Sequence, residues 1–329
     1  HKRSANRVCL HPEAPIGCDG SIIQAHTIQR SGGLTRIARG GQVYGFTTNV
    51  PLAARGERLS PRLIGTKQAS TFTGFCSAHD TKLFRRVETQ QLDPEDAEQV
   101  FLLGYRAVCF ELYQKGLSST FIPTLKQMDR GLNVEDQARL QEMMAAIDAG
   151  TRRGLAELRS HKRRHDDVIA RRDFASVRGY VIALGQCPDI LCSAALCPEF
   201  DFAGREVQRL RPDSPPFQWL SMSFLPTASG GAAVFGWFAD EPLIHSFVRS
   251  LDALSDEALP HALVRLCFEY CSNTFMSPGW WDGLSLGIRE RLLRRMREGR
   301  LPATTPAALS DDGVRAVGWT VTARTRLGW

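Results

Sequence analysis

VCLHPEAPIGC (residues 8–18) and FCSAHDTKLF (residues 75–84) decide how the first part of this chain is read. Each segment carries a donor pair, Cys9 with Cys18 and Cys76 with His79, the second set as C-x-x-H. Thiolate and imidazole donors in fours suit a tetrahedral zinc ion. The second pair runs straight into a helical pattern of Asp80, Lys82, Leu83, Phe84 and Val87, so the ion and the helix start are expected to be locked together. Between the two segments lies QAHTIQR (residues 24–30), which brings His26. Five candidate donors for four positions leave open whether His26 stands free of the ion or replaces His79 or Cys18 on it.

The rest of the chain sets the frame around that centre. Its 329 residues have room for two or three domains, and 43% hydrophobic with 23% charged residues is the make-up of a globular protein with a sizeable core. No apolar run reaches the length of a membrane helix, and HKRSANRV lacks the apolar stretch of a secretory signal, so the expectation is a cytoplasmic protein with no membrane partner. Nine cysteines scattered through such a chain read as metal ligands or small buried hydrophobes. Cys109 and Cys267 fall in apolar patterns and are expected in the core. Cys187, Cys192 and Cys197 are evenly spaced but have no histidine nearby, which argues against a second metal site.

Charge is unevenly distributed. Residues 1–90 hold 13 Lys and Arg against 5 Asp and Glu, a balance of +8, whereas the remainder holds 28 against 30. A basic excess on the metal-bearing segment suits a phosphate-binding surface, and equally a solvated basic face. Within it, residues 47–68 read as a surface loop, and SGGLTRIARGGQ (31–42) as a short helical turn between glycine joints.

Three parts are expected along the chain: a zinc-binding module at 1–90, a helical hairpin at 91–175 and an α+β domain at 176–329. LDPEDAEQVFLLGYRAVCFELYQKG predicts a helix capped by Asp93, begun at Pro94 and ended by Gly116. A second helix is expected from about Val134 to Arg172, with Gly150 and Gly154 as points where it breaks. Residues 177–184, 217–226 and 232–239 read as strands, the last two joined as a hairpin through TASGG. Helices at 242–254, 260–273 and 280–297 complete a small antiparallel sheet covered on one face.

With those residues in view, positions 9–88 resemble a divergent HNH, or ββα-metal, nuclease module. Ala25-His26-Thr27-Ile28 matches the strand that carries the family's general base. FCSAHD fits its closing C-x-x-C-H pattern, with His79 in the second cysteine place and Asp80 in that of the metal-binding histidine. The resemblance implies a structural Cys3His zinc on Cys9, Cys18, Cys76 and His79. It also implies a catalytic Mg²⁺ or Mn²⁺ held by Asp80, and cleavage of a phosphodiester bond with His26 as base. The sequence departs from the pattern in the C-x8-C spacing of the first pair, in the missing acid before His26, and in the long gap from His26 to Cys76. Thr71 or Thr73 stands roughly where the family's middle asparagine would be.

Arg30, Arg36, Arg39 and Lys67, with Arg55 and Arg58 between them, follow the candidate base and could grip a phosphate backbone. Tyr44 and Phe46 are interleaved, as stacking or core aromatics. RRGLAELRSHKRRHDDVIARR (152–172) forms a second basic patch on a helix, most simply a solvated face. The expected partner is therefore nucleic acid, in DNA processing or defence against foreign DNA, with a protein partner or self-association through residues 176–329. Two rival readings are a zinc-stabilised scaffold without catalysis and a nucleic-acid binder that does not cut.

Overall fold

A computed structural model describes residues 7–46, 59–211, 213–299 and 304–329. The readings of Arg55, Arg58 and the start of the chain lie outside the described residues. Strand β1 (Ile22–His26) leads into a turn at Arg30–Leu34, followed by β2 (Gln42–Gly45) and β3 (Arg62–Gly65). β4 (Thr71–Cys76) runs without a break into α1 (Ser77–Thr89). β1 and β4 pair antiparallel as a separate two-stranded sheet, with His26 opposite Thr71 and Ile22 opposite Cys76. Strand, strand and helix thus form a ββα unit.

The helix α2 (Ala97–Ser119) is the pivot of the molecule. Its cap is Asp96, whose carboxylate accepts from the backbone N–H groups of Glu98 and Gln99; Asp93 sits in the preceding turn. Gly116 does not end it, because three more residues continue the helix to Ser119. Phe101, Tyr105 and Phe110 on α2 meet Phe72, Phe75 and Phe84 of the ββα unit. Edge-on ring pairs such as Phe72 with Phe110, 5.5 Å between centroids, lock this contact. The long helix α3 (Val134–Arg171) packs along α2 and is unbroken at Gly150 and Gly154, since neither glycine meets a competing turn or proline.

Strands β5 (Val177–Leu184), β6 (Ile190–Leu196), β7 (Leu220–Thr227), β8 (Gly230–Phe238), β9 (Thr274–Met276) and β10 (Val321–Leu327) join β2 and β3 in one antiparallel sheet. Its eight strands run β10-β5-β8-β7-β6-β9-β2-β3. The β7–β8 hairpin turns between Thr227 and Gly230, as the TASGG reading expects. This sheet is larger than expected, and it reaches back into the N-terminal segment: β2 pairs with β9 through Tyr44 and Met276. Of the loop expected at 47–68, residues 47–58 lie outside the described residues, and residues 62–65 form β3 instead.

Both faces of the sheet are covered, not one. Tyr180, Ile182, Phe235 and Trp237 point toward α4 (Pro242–Asp252) and α5 (Leu259–Tyr270). Val181 and Val234 point the other way, toward Val100 of α2. A Cβ at Gly104 would stand 2.5 Å from the Ser221 hydroxyl, so a bare backbone lets α2 lie close on β7. The expected helix at 280–297 is two helices, α6 (Pro278–Gly283) and α7 (Leu286–Glu298), separated where Ser285 caps the second. Cys109 and Cys267 are buried in these layers, in keeping with their reading as core residues, and Cys192 and Cys197 are buried with them. Among the described residues, no helix is long and apolar enough to cross a membrane.

Candidate metal centre and its surroundings

The segment around residues 8–10 lies beside β4, with the Val8 and Leu10 N–H groups donating to Thr73 and Gly74 carbonyls. That pairing delivers Cys9. A turn closed by Cys18 N–H to Pro15 C=O delivers Cys18, with Gly17 at φ +73°. A side chain at Gly17 would stand 3.2 Å from His79 Nε2, so glycine is needed there for both conformation and space. Cys76 closes β4 and caps α1, its sulfur accepting from the His79 N–H at 3.5 Å, and His79 follows one helical turn later. Asp19 ties the approach to the helix by accepting from Ser21 and Ala78 N–H groups, each at 3.0 Å.

The outcome is a tight cluster. Nδ1 of His79 lies 3.4, 3.5 and 3.3 Å from the sulfurs of Cys9, Cys18 and Cys76, and all four donor atoms lie within 4.8 Å of one another. In a tetrahedral zinc site with Zn–S of about 2.3 Å and Zn–N of about 2.0 Å, sulfur and nitrogen stand roughly 3.5 Å apart. The four residues therefore fit a metal ion such as zinc. Their protonation fits as well. Burial would raise the Cys76 thiol, yet hydrogen bonds led by the His79 N–H bring it below its usual value. Desolvation, followed by the neighbouring Cys9 and Cys76 thiols, pushes Cys18 up to about 12. A divalent cation removes that conflict by taking the place of the protons.

His79 is buried and lies flat against His11, ring centroids 3.9 Å apart. His11 and Glu13 form an alternative donor group with His79, and burial lowers the His11 imidazole to about 4. Nδ1 of His11 is occupied by the Glu13 N–H at 3.2 Å.

His26 stands apart from the cluster. It is half-buried at the far end of β1 from Cys76, and its Nε2 lies 3.3 Å from the Thr66 carbonyl. Burial lowers its pKa, so the imidazole is neutral, with Nε2–H donating and Nδ1 left as the basic atom. Asp80, in the first turn of α1, is half-buried, and its buried Oδ1 has no hydrogen-bond partner among the described residues. Burial raises its pKa and the Arg106 guanidinium opposes that rise. Among the described residues, neither His26 nor Asp80 belongs to a cluster of three thiol, imidazole or carboxylate donors.

The basic residues separate into two kinds. Arg30 and Lys67 are exposed. Arg36 donates to the Thr227 carbonyl at 2.6 Å, and Arg39 pairs with Asp282 at 2.5 Å, which also accepts from the Tyr44 hydroxyl. Phe46 is buried and Tyr44 packs against the core, so both aromatics serve the fold. In the second basic patch Arg153, Lys162 and Arg164 pair with Glu157, Asp166 and Glu241 of the same molecule.

Sequence reasoning missed Arg106. It is 3% exposed, pairs with Glu88 at 2.6 Å and lies over the Phe84 ring at 3.9 Å. The signal was present, since an arginine in the apolar run FLLGYRAVCF cannot reach solvent from a buried helix face. His26, Asp80 and Glu88 all feel its charge. Comparison with known protein families, curated proteins and solved structures returned no match.

Proposed function

We propose that Cys9, Cys18, Cys76 and His79 hold a structural zinc that staples an HNH-like ββα unit, and that the unit cleaves phosphodiester bonds in nucleic acid. The observation that carries this reading is the position of His26: at the end of the first strand of a ββα unit, off the metal cluster, with a neutral imidazole. Nδ1 of His26 takes the proton of the attacking water, and the Thr66 carbonyl fixes the tautomer by accepting from Nε2. Arg30 and Lys67 hold the strand through its phosphates. Asp80 offers its unpartnered oxygen to a Mg²⁺ or Mn²⁺ ion. When bound, such an ion stabilises the charge that develops on the phosphate. DNA processing or defence against foreign DNA is the setting in which such an activity belongs.

A second reading, a zinc-stapled binding protein without cleavage, is favoured by the donor count. The zinc donors number four and leave no open position, while Asp80 belongs to no group of three such donors among the described residues. Here the basic edge or the large α+β body carries the interaction with nucleic acid or a protein partner.

One experiment separates them. Purified protein is incubated with DNA and RNA in Mg²⁺ and in Mn²⁺, beside His26→Ala, and zinc per chain is measured for both. The cleavage reading expects cutting by the wild type, a loss of about 100-fold or more in His26→Ala, and equal zinc in the two proteins. Intact substrate under every condition sinks it in favour of the binding protein.

A further inference from the structure

Between the ββα unit and the sheet face covered by α2 runs a cleft that the cleavage reading does not use. Its inner part, about 50 Å³, reaches Arg106, Ser223 and Phe224; its outer part, about 230 Å³, opens past Arg36 and Gln90. Gln29, Gly32, Val87, Leu103, Leu225 and Pro226 line both parts, so the two are one slot with largely aliphatic walls.

Arg106 closes the inner end with an unusual unmet need. One terminal nitrogen donates to Glu88, but the buried Nε–H has no acceptor among the described residues. A buried donor left unpaired is costly, and a guest supplying an acceptor would recover that cost. Glu88 already matches the charge of Arg106, so the missing group is a neutral acceptor and not an anion. A carboxylate or phosphate would bring a further negative charge against Glu88. At the rim, Gln29 donates its amide N–H to the Glu88 carbonyl at 2.9 Å and keeps its Oε1 as an acceptor. A Cβ at Gly32 would stand 2.4 Å from that oxygen, so the glycine keeps it clear.

A flat, neutral heterocycle with acceptors on one edge and donors on another meets all these features. We propose that the cleft is a nucleobase slot that takes guanine. Its O6 and N7 face Arg106, its N–H donors face Gln29, and its faces lie between Leu103 and Val87 on one side and Leu225 and Pro226 on the other. The slot goes beyond the cleavage reading and survives its failure, because holding a base requires neither His26 nor a divalent ion.

Calorimetric titration of the full, zinc-loaded chain with guanosine, adenosine and acetate tests it. Guanosine is expected to bind, adenosine about 10-fold more weakly or less, and acetate not at all. Leu103→Trp, which fills the slot, and Gly32→Val, which crowds its rim, should each weaken guanosine at least about 10-fold, with melting temperature and zinc content checked beside them. No guanosine binding at about 1 mM overturns the proposal, as does binding of acetate in its place. Guanosine binding that both folded variants leave unchanged overturns it equally. The titration reads neither cutting nor divalent ions, so its failure is distinct from failure of the cleavage reading.

Discussion

Cys76 does three things at once: it ends β4, caps α1 and contributes a sulfur to the cluster. His79, three residues on, extends the same logic, because the helix turn that begins at Ser77 carries it back over the sulfur. Local backbone geometry therefore sets half of the donor set before any long-range contact forms. Cys9 and Cys18 arrive from a segment held by two backbone hydrogen bonds and a tight turn. Cys76→Ser is expected to lose the metal and to lower the melting temperature markedly, since it removes a ligand and a cap together. Zinc per chain by atomic absorption, with a thermal melt, checks this; full zinc occupancy in the variant would remove Cys76 from the donor set.

At the scale of elements, the α1–α2 contact is the hinge on which the ββα unit meets the rest. Phe75 is fully buried between Phe72, Phe84 and Tyr105. Phe75→Ala is expected to cost about 3–5 kcal/mol, read as a shift in the urea midpoint at constant slope. The helices and the β7–β8 hairpin were legible in the sequence, because caps, prolines and alternating aromatics mark them. β6 was not. ILCSAAL is buried at every position, so it shows none of the alternation that reveals a half-covered strand. β10, reading VTARTRL, is an edge strand whose arginines pair with Asp252 and Asp256, and its polarity hid it. Of the site, the four clustered donors were visible in the spacing of Cys9, Cys18, Cys76 and His79. Arg106 and the cleft beside it arise from α2 crossing the sheet, a tertiary event that no local pattern records.

Across the whole molecule, the buried imidazoles of α3 are expected to lower stability in acid. His165 is fully buried on α3 between Phe101 and Phe238, with Nδ1 donating to the His161 carbonyl at 3.0 Å. Burial lowers its pKa to about 4, with Arg164 and Lys162 adding to the effect. The native imidazole stays neutral while the unfolded one protonates near 6.5, so its contribution is complete above that pH and is lost as pH falls toward 4. The slope is roughly 1.4 kcal/mol per pH unit. Glu241, raised to about 7 chiefly by burial, acts with the opposite sign in the same range and offsets part of this. The difference between wild type and His165→Gln isolates the histidine. Chemical denaturation at pH 7 and pH 5 should show the wild type losing more stability than the variant; equal losses would exclude His165 as the source.

Joining β2 to β9 has a practical consequence for anyone who divides this chain. Residues 1–90 cannot be cut away as a self-sufficient cassette, because the excision would strip the β2–β3 flank from a sheet whose next rib is only three residues wide. The truncated remainder would present raw main-chain hydrogen-bonding groups along β9, an invitation to stick to copies of itself. Expressed from residue 91 onward, it should sediment as aggregate where the intact chain does not, and a clean, monodisperse fragment would show that the two halves can live apart.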